Sequence, residues 1–252
     1  MNIKLISYNI HKGFDLGNRE FLLAEMKKYL HHLQPDLVFL QEVVGDHRHQ
    51  KMRIENWPTN TQFEFLADEI WPHFAYGKNA VYDDGHHGNA ILSKFPLVSW
   101  DNTDLSTNNL EFRGLAHGKI LIPETGQGLD VFCTHLNLLQ GARFRQLKKI
   151  IETIKAKVPI DAPMILAGDF NDWTGALCKP LLQELNLREA FTVIRGSTAK
   201  TFPAFWPKLG LDRIYFRNLE VVDVKVLESG SWAKLSDHLP IWASLKLLEQ
   251  NS

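Results

Sequence analysis

Side chains that can bind a metal ion or transfer a proton recur at the ends of apolar runs in this sequence. Four runs carry them: Gln41-Glu42 follows residues 37–40, His135-Leu136-Asn137 follows 131–134, Gly168-Asp169-Phe170-Asn171 follows 164–167, and Ser236-Asp237-His238 precedes the last run. Strand ends hold catalytic groups on a rigid support at a sheet edge. Carboxylate and amide oxygens suit Mg²⁺ or Mn²⁺, and histidines suit proton transfer near neutral pH. The combination indicates metal-assisted hydrolysis of a phosphate ester.

Each of these residues taken alone also has a structural interpretation. A strand-end carboxylate such as Glu42 is commonly solvated, and the pair Asp169 and Asn171 is typical of an Asx turn. His135 equally fits a histidine at the edge of the core. Capping alone does not explain four strand ends that carry Glu, His, Asp/Asn and Asp/His. The sequence has no P-loop, no Gly-x-Ser-x-Gly elbow and no dinucleotide fingerprint that would favour another chemistry.

The elements that must position these residues are short apolar segments alternating with a few helical stretches. Strands are predicted at residues 3–9, 36–41, 89–93, 110–122, 129–135, 163–168, 212–216, 220–226 and 239–245. Helices are predicted at residues 20–33, 62–71, 141–157 and 175–185. Long irregular stretches are expected at residues 45–60, 79–88 and 195–211, and loops of that length are often functional. The pattern predicts one mixed domain with helices on the outside.

The composition is that of an ordinary globular domain, which excludes disorder, collagen-like repeats and coiled coil. No apolar run approaches the ~20 residues of a membrane helix, and the N-terminus lacks signal-peptide anatomy, so we expect a cytoplasmic protein. Cys133 and Cys178 are expected to be free thiols. The formal charge of −1 argues mildly against a long nucleic acid gripped through many phosphates.

Motifs in a fixed order carry a resemblance to a known family. They are Ser7-Tyr8-Asn9-Ile10, Leu40-Gln41-Glu42, Gly88-Asn89-Ala90-Ile91-Leu92-Ser93, Thr134-His135-Leu136-Asn137, Gly168-Asp169-Phe170-Asn171, Leu211-Asp212-Arg213-Ile214-Tyr215 and Ser236-Asp237-His238-Leu239-Pro240. Over residues 3–246 the chain resembles the endonuclease/exonuclease/phosphatase (DNase I-like) superfamily, which includes nucleases, sphingomyelinases, inositol-phosphate phosphatases and deadenylases. The segments Asn9-Ile10-His11-Lys12-Gly13, Glu55-Asn56-Trp57-Pro58 and Gly85-His86-His87-Gly88-Asn89 also resemble its bacterial YbhP-type branch.

The resemblance implies a fold and a metal site. The fold is α+β, a four-layer α/β/β/α sandwich of two packed, mostly antiparallel sheets with outer helices, in a single domain over residues 1–252. The cofactor is Mg²⁺, with Mn²⁺ as a substitute. Asn9 and Glu42 hold the metal, and Asp237 is a further or water-mediated ligand.

The resemblance also implies catalytic roles. Asp169 orients or deprotonates the attacking water, and Asn171 binds the phosphate. His238, paired with Asp212, stabilises the developing charge, although the sequence leaves open whether Asp169 or His238 is the general base. His135 contacts the phosphate or assists the leaving oxygen.

Four further residues are candidates for binding the substrate. The resemblance makes Asn137 a phosphate contact and lets Asn89 order the site. Arg113 is either an electrostatic support or a strand salt bridge, and Trp173 either stacks on a base, meets an apolar group or anchors its loop. Histidines outside the motifs are candidates for the rim of the site: His11, His86, His87 and His117.

The function that follows is a divalent-metal-dependent phosphoesterase that cleaves a phosphodiester of a nucleic acid, a phospholipid or a small molecule. A phosphomonoesterase of the same superfamily and a non-catalytic binding module are the alternatives. We expect a monomer without stable membrane insertion, and the sequence indicates no protein partner.

Overall fold

The computed structural model describes residues 1–108 and 111–248, and strands dominate this part of the chain. The strands are β1 (Asn2–Asn9), β2 (Leu37–His47), β3 (His73–Tyr82), β4 (Gly85–Ser93), β5 (Leu97–Asp104), β6 (Gly114–Ile122), β7 (Gln127–His135), β8 (Met164–Asp169), β9 (Arg188–Glu189), β10 (Asp212–Arg217), β11 (Leu219–Val226) and β12 (Ile241–Leu247). The α-helices are α1 (Leu23–Leu33), α2 (Arg48–Arg53), α3 (Gln62–Ala67), α4 (Gln140–Lys157), α5 (Cys178–Leu185), α6 (Ala190–Arg195) and α7 (Trp232–Leu235). A short 3-10 helix spans His11–Gly13.

The strands form two six-stranded sheets that pack face to face. Their strand orders are β11-β12-β1-β2-β4-β3 and β5-β6-β7-β8-β10-β9. Each sheet has one parallel pair at its centre, β1 with β2 and β7 with β8, and its other neighbours are antiparallel. The parallel pairs end at the same edge at which β10 and β12 begin. This edge therefore receives the residues that the sequence places at strand ends.

Three apolar clusters hold four layers together. Ile3 and Leu5 of β1 point into the cluster between the sheets, whereas Ile6 and Tyr8 point into a second cluster under the helices. Both faces of this strand are apolar because both are covered. The second cluster is closed by α1, α3 and α7, and a third lies between the other sheet and α4 and α5. The α/β/β/α sandwich predicted from the sequence is confirmed.

Several elements differ from the sequence prediction. The strands β3 and β5 were not predicted because they lie at sheet edges, where one side of a strand is solvated and its apolar pattern weakens. Residues 79–88, expected to be irregular, form the β3–β4 hairpin, and residues 45–60 contain the end of β2 and all of α2. The strand predicted at 110–122 begins at Gly114, and its first predicted residue lies outside the described residues. Of the residues 195–211 expected to be irregular, Arg195 ends α6, and residues 196–211 contain no helix or strand.

Gly168 shows how tightly the backbone is packed beside the site. Its φ is +145°, and a Cβ atom there would lie 1.9 Å from the Thr134 carbonyl oxygen of the neighbouring strand. Gly168→Ala is therefore expected to lower the free energy of unfolding by about 3 kcal/mol, measured by chemical denaturation. Gly126→Ala is the control, because Gly126 has φ +68° but an empty Cβ position, and it should cost about 1 kcal/mol. Equal losses in the two variants would show that backbone strain, rather than the steric clash, causes the loss of stability in Gly168→Ala.

Candidate active site

Both sheets deliver polar side chains to one edge of the sandwich. Asn9 ends β1, and His135 and Asp169 end the parallel strands β7 and β8, where they are register partners. Asp212 begins β10 directly opposite Asp169. The segment that holds Asp237 and His238 leads into β12 and is tied to β1, because the Ser236 hydroxyl donates to the Asn9 carbonyl at 2.8 Å. The candidates for metal binding and catalysis therefore converge, as the sequence predicts.

Asp169 is the centre of this cluster and is almost fully buried. Its Oδ2 accepts a hydrogen bond from Asn9 Nδ2 at 3.2 Å and lies 3.5 Å from His135 Nε2 and 3.6 Å from His238 Nε2. Its Oδ1 accepts from the backbone N–H of Asn171 at 2.9 Å. Burial raises the pKa of Asp169 to about 6, against the opposing attraction of His238. The carboxylate is thus ionised at neutral pH yet more basic than an exposed aspartate.

His238 is held between two carboxylates. Its Nδ1 lies 2.9 Å from Asp212 Oδ2, and the same oxygen accepts from the Thr201 hydroxyl at 2.5 Å. Burial disfavours the charged imidazolium, but the negative charges of Asp212 and Asp169 outweigh it and raise the pKa of His238 to about 10. One group of three potential metal-binding side chains in the described residues has its ligand atoms within 4.8 Å of one another: Asp169, Asp212 and His238. Because His238 already pairs with Asp212, this group fits charge stabilisation better than a metal cage.

Glu42 is placed by a strained piece of backbone. Its φ is +56°, a conformation that favours glycine, and it lies in the irregular register of β2 against β4 between Leu40 and Val43. His11, Lys12 and Asn171 also have positive φ values between +45° and +58°. Strained backbone of this kind persists where the fold over-determines it, and it is concentrated at functional sites.

The carboxylates around Asn9 fit a divalent cation. Glu42 Oε1 and Asp169 Oδ2 both approach Asn9 Nδ2, at 3.3 and 3.2 Å. Asp237 Oδ2 and Glu42 Oε2 lie 3.4 and 3.9 Å from His11 Nδ1, and Lys12 Nζ is 3.9 Å from Glu42. Lys12 offsets part of this converging negative charge, and a divalent cation would offset more of it. These hard oxygen donors match the preference of Mg²⁺ and Mn²⁺.

His87 lies near the site and, like His135, favours its neutral form. Burial, followed by the positive charge of Lys12, lowers the pKa of His87 to about 4. Burial and the nearby charges of Arg113 and His238 lower the pKa of His135 well below its ordinary value. His87 Nδ1 lies 2.7 Å from the Tyr82 hydroxyl, which fixes the ring.

Acidification is expected to destabilise the protein through His87. The unfolded histidine has a pKa near 6.5, so between pH 6.5 and 4 the unfolded chain binds more protons than the folded one. The free energy of unfolding therefore falls as the pH drops through this window. From pH 7 to 4.5, the wild type should lose up to about 2 kcal/mol more than His87→Asn in urea denaturation. Equal losses in the two proteins would contradict the low pKa.

Two of the predicted substrate-binding residues, Arg113 and Asn137, are joined by hydrogen bonds through Glu111. Arg113 Nη2 donates to Glu111 Oε1 at 2.6 Å, and the side-chain amide of Asn137 donates to Glu111 Oε2. Asn89 Nδ2 donates to the Gly114 carbonyl at 3.1 Å, which supports a positioning role. Trp173 is half-exposed and stacks against the Arg143 guanidinium, 4.5 Å from the ring centre. Asn171 Nδ2 donates to the Leu136 carbonyl at 2.9 Å.

Three residues at the site lay outside the predicted set or on its margin. His11 was a candidate for the rim of the site, and it contacts Asp237 directly. Glu111 and Thr201 were not predicted as site residues, because each lies in an irregular segment with no motif around it. His117, also a rim candidate, lies instead within β6, where it bridges Asp101 and Asp130.

Comparisons with known proteins identify the family of the chain. The sequence pattern of the Endonuclease/Exonuclease/phosphatase family matches residues 6–238, a span that runs from before Asn9 to His238. The chain is 42% identical over 246 residues to the uncharacterized protein YbhP of Escherichia coli K12, which covers 98% of this chain and 97% of that protein.

Two solved structures share the fold at low sequence identity. The Danio rerio TDP2 in complex with single-strand DNA product has a TM-score of 0.72 and 20% identity, over 97% of this chain and 99% of that one. The mannosyl-6-phosphatase of Bacteroides thetaiotaomicron has a TM-score of 0.72 and 19% identity, over 96% and 99%. No described helix is long and apolar enough to cross a membrane. On the family match and its relationship to YbhP, the chain belongs to the endonuclease/exonuclease/phosphatase family.

Proposed function

We propose that the protein is a divalent-metal-dependent phosphoesterase that hydrolyses a phosphodiester by in-line attack of an activated water. The observation that carries this proposal is the position of Asp169. Its buried Oδ2 faces His135 Nε2, His238 Nε2 and Asn9 Nδ2 within 3.6 Å. A basic carboxylate and two imidazoles around one point can orient a water molecule and hold a phosphoryl group.

The proposed metal ligands are Asn9 and Glu42, with Asp237 beside them. A bound Mg²⁺ or Mn²⁺ would supply Lewis-acid polarisation of the phosphate ester. The protein's own residues do the remaining work. Asn9 also fixes the Asp169 carboxylate through its amide.

The pKa values favour Asp169 over His238 as the general base. His238 keeps its proton at neutral pH because Asp212 and Asp169 attract the imidazolium, so it has no free site to accept a second proton there. Asp169 is ionised and more basic than usual, which suits it to take a proton from water. His238 instead donates a charge-assisted hydrogen bond to a phosphoryl oxygen.

The experiment that tests the proposal compares bis-p-nitrophenyl phosphate with p-nitrophenyl phosphate in Mg²⁺, Mn²⁺ or EDTA. Diester cleavage that requires the metal is expected. Preferential cleavage of the monoester would keep the chemistry but make the protein a phosphatase, as the fold of the Bacteroides mannosyl-6-phosphatase permits. A protein that binds Mg²⁺ and cleaves neither ester, nor any larger phosphodiester, would be a binding module.

Glu42→Gln is expected to raise the Mg²⁺ concentration needed for half-maximal activity by about tenfold or more, because it removes one negative charge beside the cation. The amide keeps the size of the side chain and can still meet Asn9. Activity titrated with Mg²⁺ measures the effect. Glu64→Gln is the control: the Glu64 carboxylate hydrogen-bonds Thr61 in the capping box at the start of α3, and the titration of this variant should match the wild type. An unchanged titration in Glu42→Gln would remove Glu42 from the ligands.

A further inference from the structure

Beside the metal ligands lies a cavity of about 410 Å³, which we call the basic cavity. Its floor and walls include Lys12, Arg19, His47, Arg53, Trp57 and Tyr82. These residues come from the segment after β1 and from residues 45–60 and 79–88, two of the stretches that the sequence marks as candidates for function. Lys12 joins the cavity to the active site, because its Nζ lies 3.9 Å from Glu42 Oε2.

The side chains that line the cavity carry positive charge, which Glu42 beside Lys12 and Asp15 near Arg19 offset only in part. Lys12, Arg19 and Arg53 line it, and no Asp or Glu is among its described lining residues. Neither guanidinium forms an ion pair with a carboxylate in residues 1–108 or 111–248. The formal charge of the whole chain, −1, hides this local excess. A positive cavity of this kind attracts an anion.

The walls of the cavity also include aromatic rings. The His47 ring packs edge-on against Trp57, 6.4 Å between centres, and lies 6.1 Å from Tyr82. These rings give the cavity apolar walls for the organic part of an anionic ligand.

We infer that the basic cavity is a subsite for a second phosphoryl group of the substrate. Arginine forks bind phosphate oxygens in pairs, which favours phosphate over a singly charged group. The inference rests on the proposed function, since it places the scissile phosphate beside Asp169 and the second phosphate beyond Lys12. It selects phosphodiesters that carry a further phosphate near the scissile bond over simple diesters.

Two matched pairs of chromogenic substrates test this subsite in Mg²⁺. One pair is thymidine 5′-(p-nitrophenyl phosphate) with and without a 3′-phosphate, and the other is glycerol 1-(p-nitrophenyl phosphate) with and without a 3-phosphate. We expect the second phosphate to raise kcat/KM about tenfold in at least one pair. The pair that responds identifies a nucleotide or a glycerophosphate source, and a response in both means that the anion alone is recognised.

Charge-removing variants locate the effect. Arg19→Gln and Arg53→Gln should each reduce the preference for the doubly phosphorylated substrate by about tenfold. Lys246→Gln is the control, because Lys246 is exposed near the opposite end of β1 and its loss removes the same charge. If bis-p-nitrophenyl phosphate is cleaved but neither pair shows a preference, the subsite is absent while the phosphoesterase stands. If the preference exists but survives both arginine variants, the basic cavity is not its cause.

Equilibrium binding tests the proposed subsite without requiring that the protein cleave an ester. Calorimetry in EDTA would compare thymidine 3′,5′-bisphosphate with thymidine 5′-monophosphate. Tighter binding of the bisphosphate, weakened about tenfold in Arg53→Gln, supports the subsite even if no ester is cleaved. Equal binding of the two nucleotides, or no change in Arg53→Gln, overturns it.

Discussion

Asp169→Asn is expected to lower kcat/KM for a diester about 10³-fold. The substitution removes the base that faces the attacking water, a contribution of about 10²–10⁴ in rate. It also removes one of the two negative charges that keep His238 protonated. The asparagine can still accept the backbone N–H of Asn171, but its amide would face the amide of Asn9 without a hydrogen bond. We therefore expect some loss of stability, about 1–3 kcal/mol, with the fold retained.

Asp172, a buried aspartate three residues further along the chain, provides a control that distinguishes a loss of catalysis from a loss of stability. Asp172 is as buried as Asp169, but its oxygens accept backbone N–H groups of Ala176 and Leu177 in a turn. Asp172→Asn should cost similar stability and keep most of the turnover, with circular dichroism showing that both variants are folded. Turnover of Asp169→Asn within tenfold of the wild type would exclude Asp169 as the base. An equal loss in both variants would mean that the effect is structural.

The buried strands of the fold were predictable because both of their faces are covered. In β1 every position from Leu5 on is buried, and in β8 every position is buried, so largely apolar runs mark both strands in the sequence. The edge strand β5 is largely exposed or half-buried, and its sequence Leu-Val-Ser-Trp-Asp-Asn-Thr-Asp has no such run. Local sequence therefore identifies the central strands of each sheet and the edge strand β11, but it misses the edge strands β3, β5 and β9.

The candidate site was predictable as a set of residue types, and the family resemblance implied the pair of His238 with Asp212, but its other contacts were not predictable. The register that places Asp212 opposite Asp169 follows from antiparallel pairing of β10 with β8, which no local pattern specifies. Thr201 meets Asp212 only because residues 196–211 fold back onto the site. Contacts of this kind depend on long-range topology, whereas strand-end chemistry depends on neighbours in the chain.

Net charge does not describe local surfaces. A formal charge of −1 argues mildly against a long nucleic acid gripped through many phosphates, whereas residues 47–53 contain two arginines, a lysine and two histidines with no acid. Three-dimensional packing brings Arg53 of this segment beside Arg19 and Lys12. Because electrostatic recognition depends on local clustering, a whole-chain sum cannot report it.

His238→Ala is expected to lower kcat/KM about 10²–10³-fold, the usual cost of removing one donor that stabilises transition-state charge. The ring lies 3.6 Å from Asp169 Oδ2 through Nε2, which places its charge at the centre of the site. His117→Ala is a matched control, because His117 is also buried between two aspartates but lies in the interior of β6. It should lose stability without a comparable loss of rate. Similar losses of kcat/KM in both would contradict the assigned role.

Replacement of Asp212, the partner of His238, tests the same role of His238 through the pH dependence of kcat/KM. Asp212→Asn removes the largest attraction that opposes burial, so the pKa of His238 should fall from about 10 into or below the neutral range. The variant would then lose its imidazolium as the pH rises, and kcat/KM at saturating metal should decline from pH 6 to 9. In the wild type the same group keeps its proton over this range and contributes no decline. The Thr201 hydroxyl can still hydrogen-bond the asparagine, so the side chain at 212 stays in place. A pH profile identical to that of the wild type would mean that Asp212 only orients the ring, and that the charge on His238 does not carry the rate.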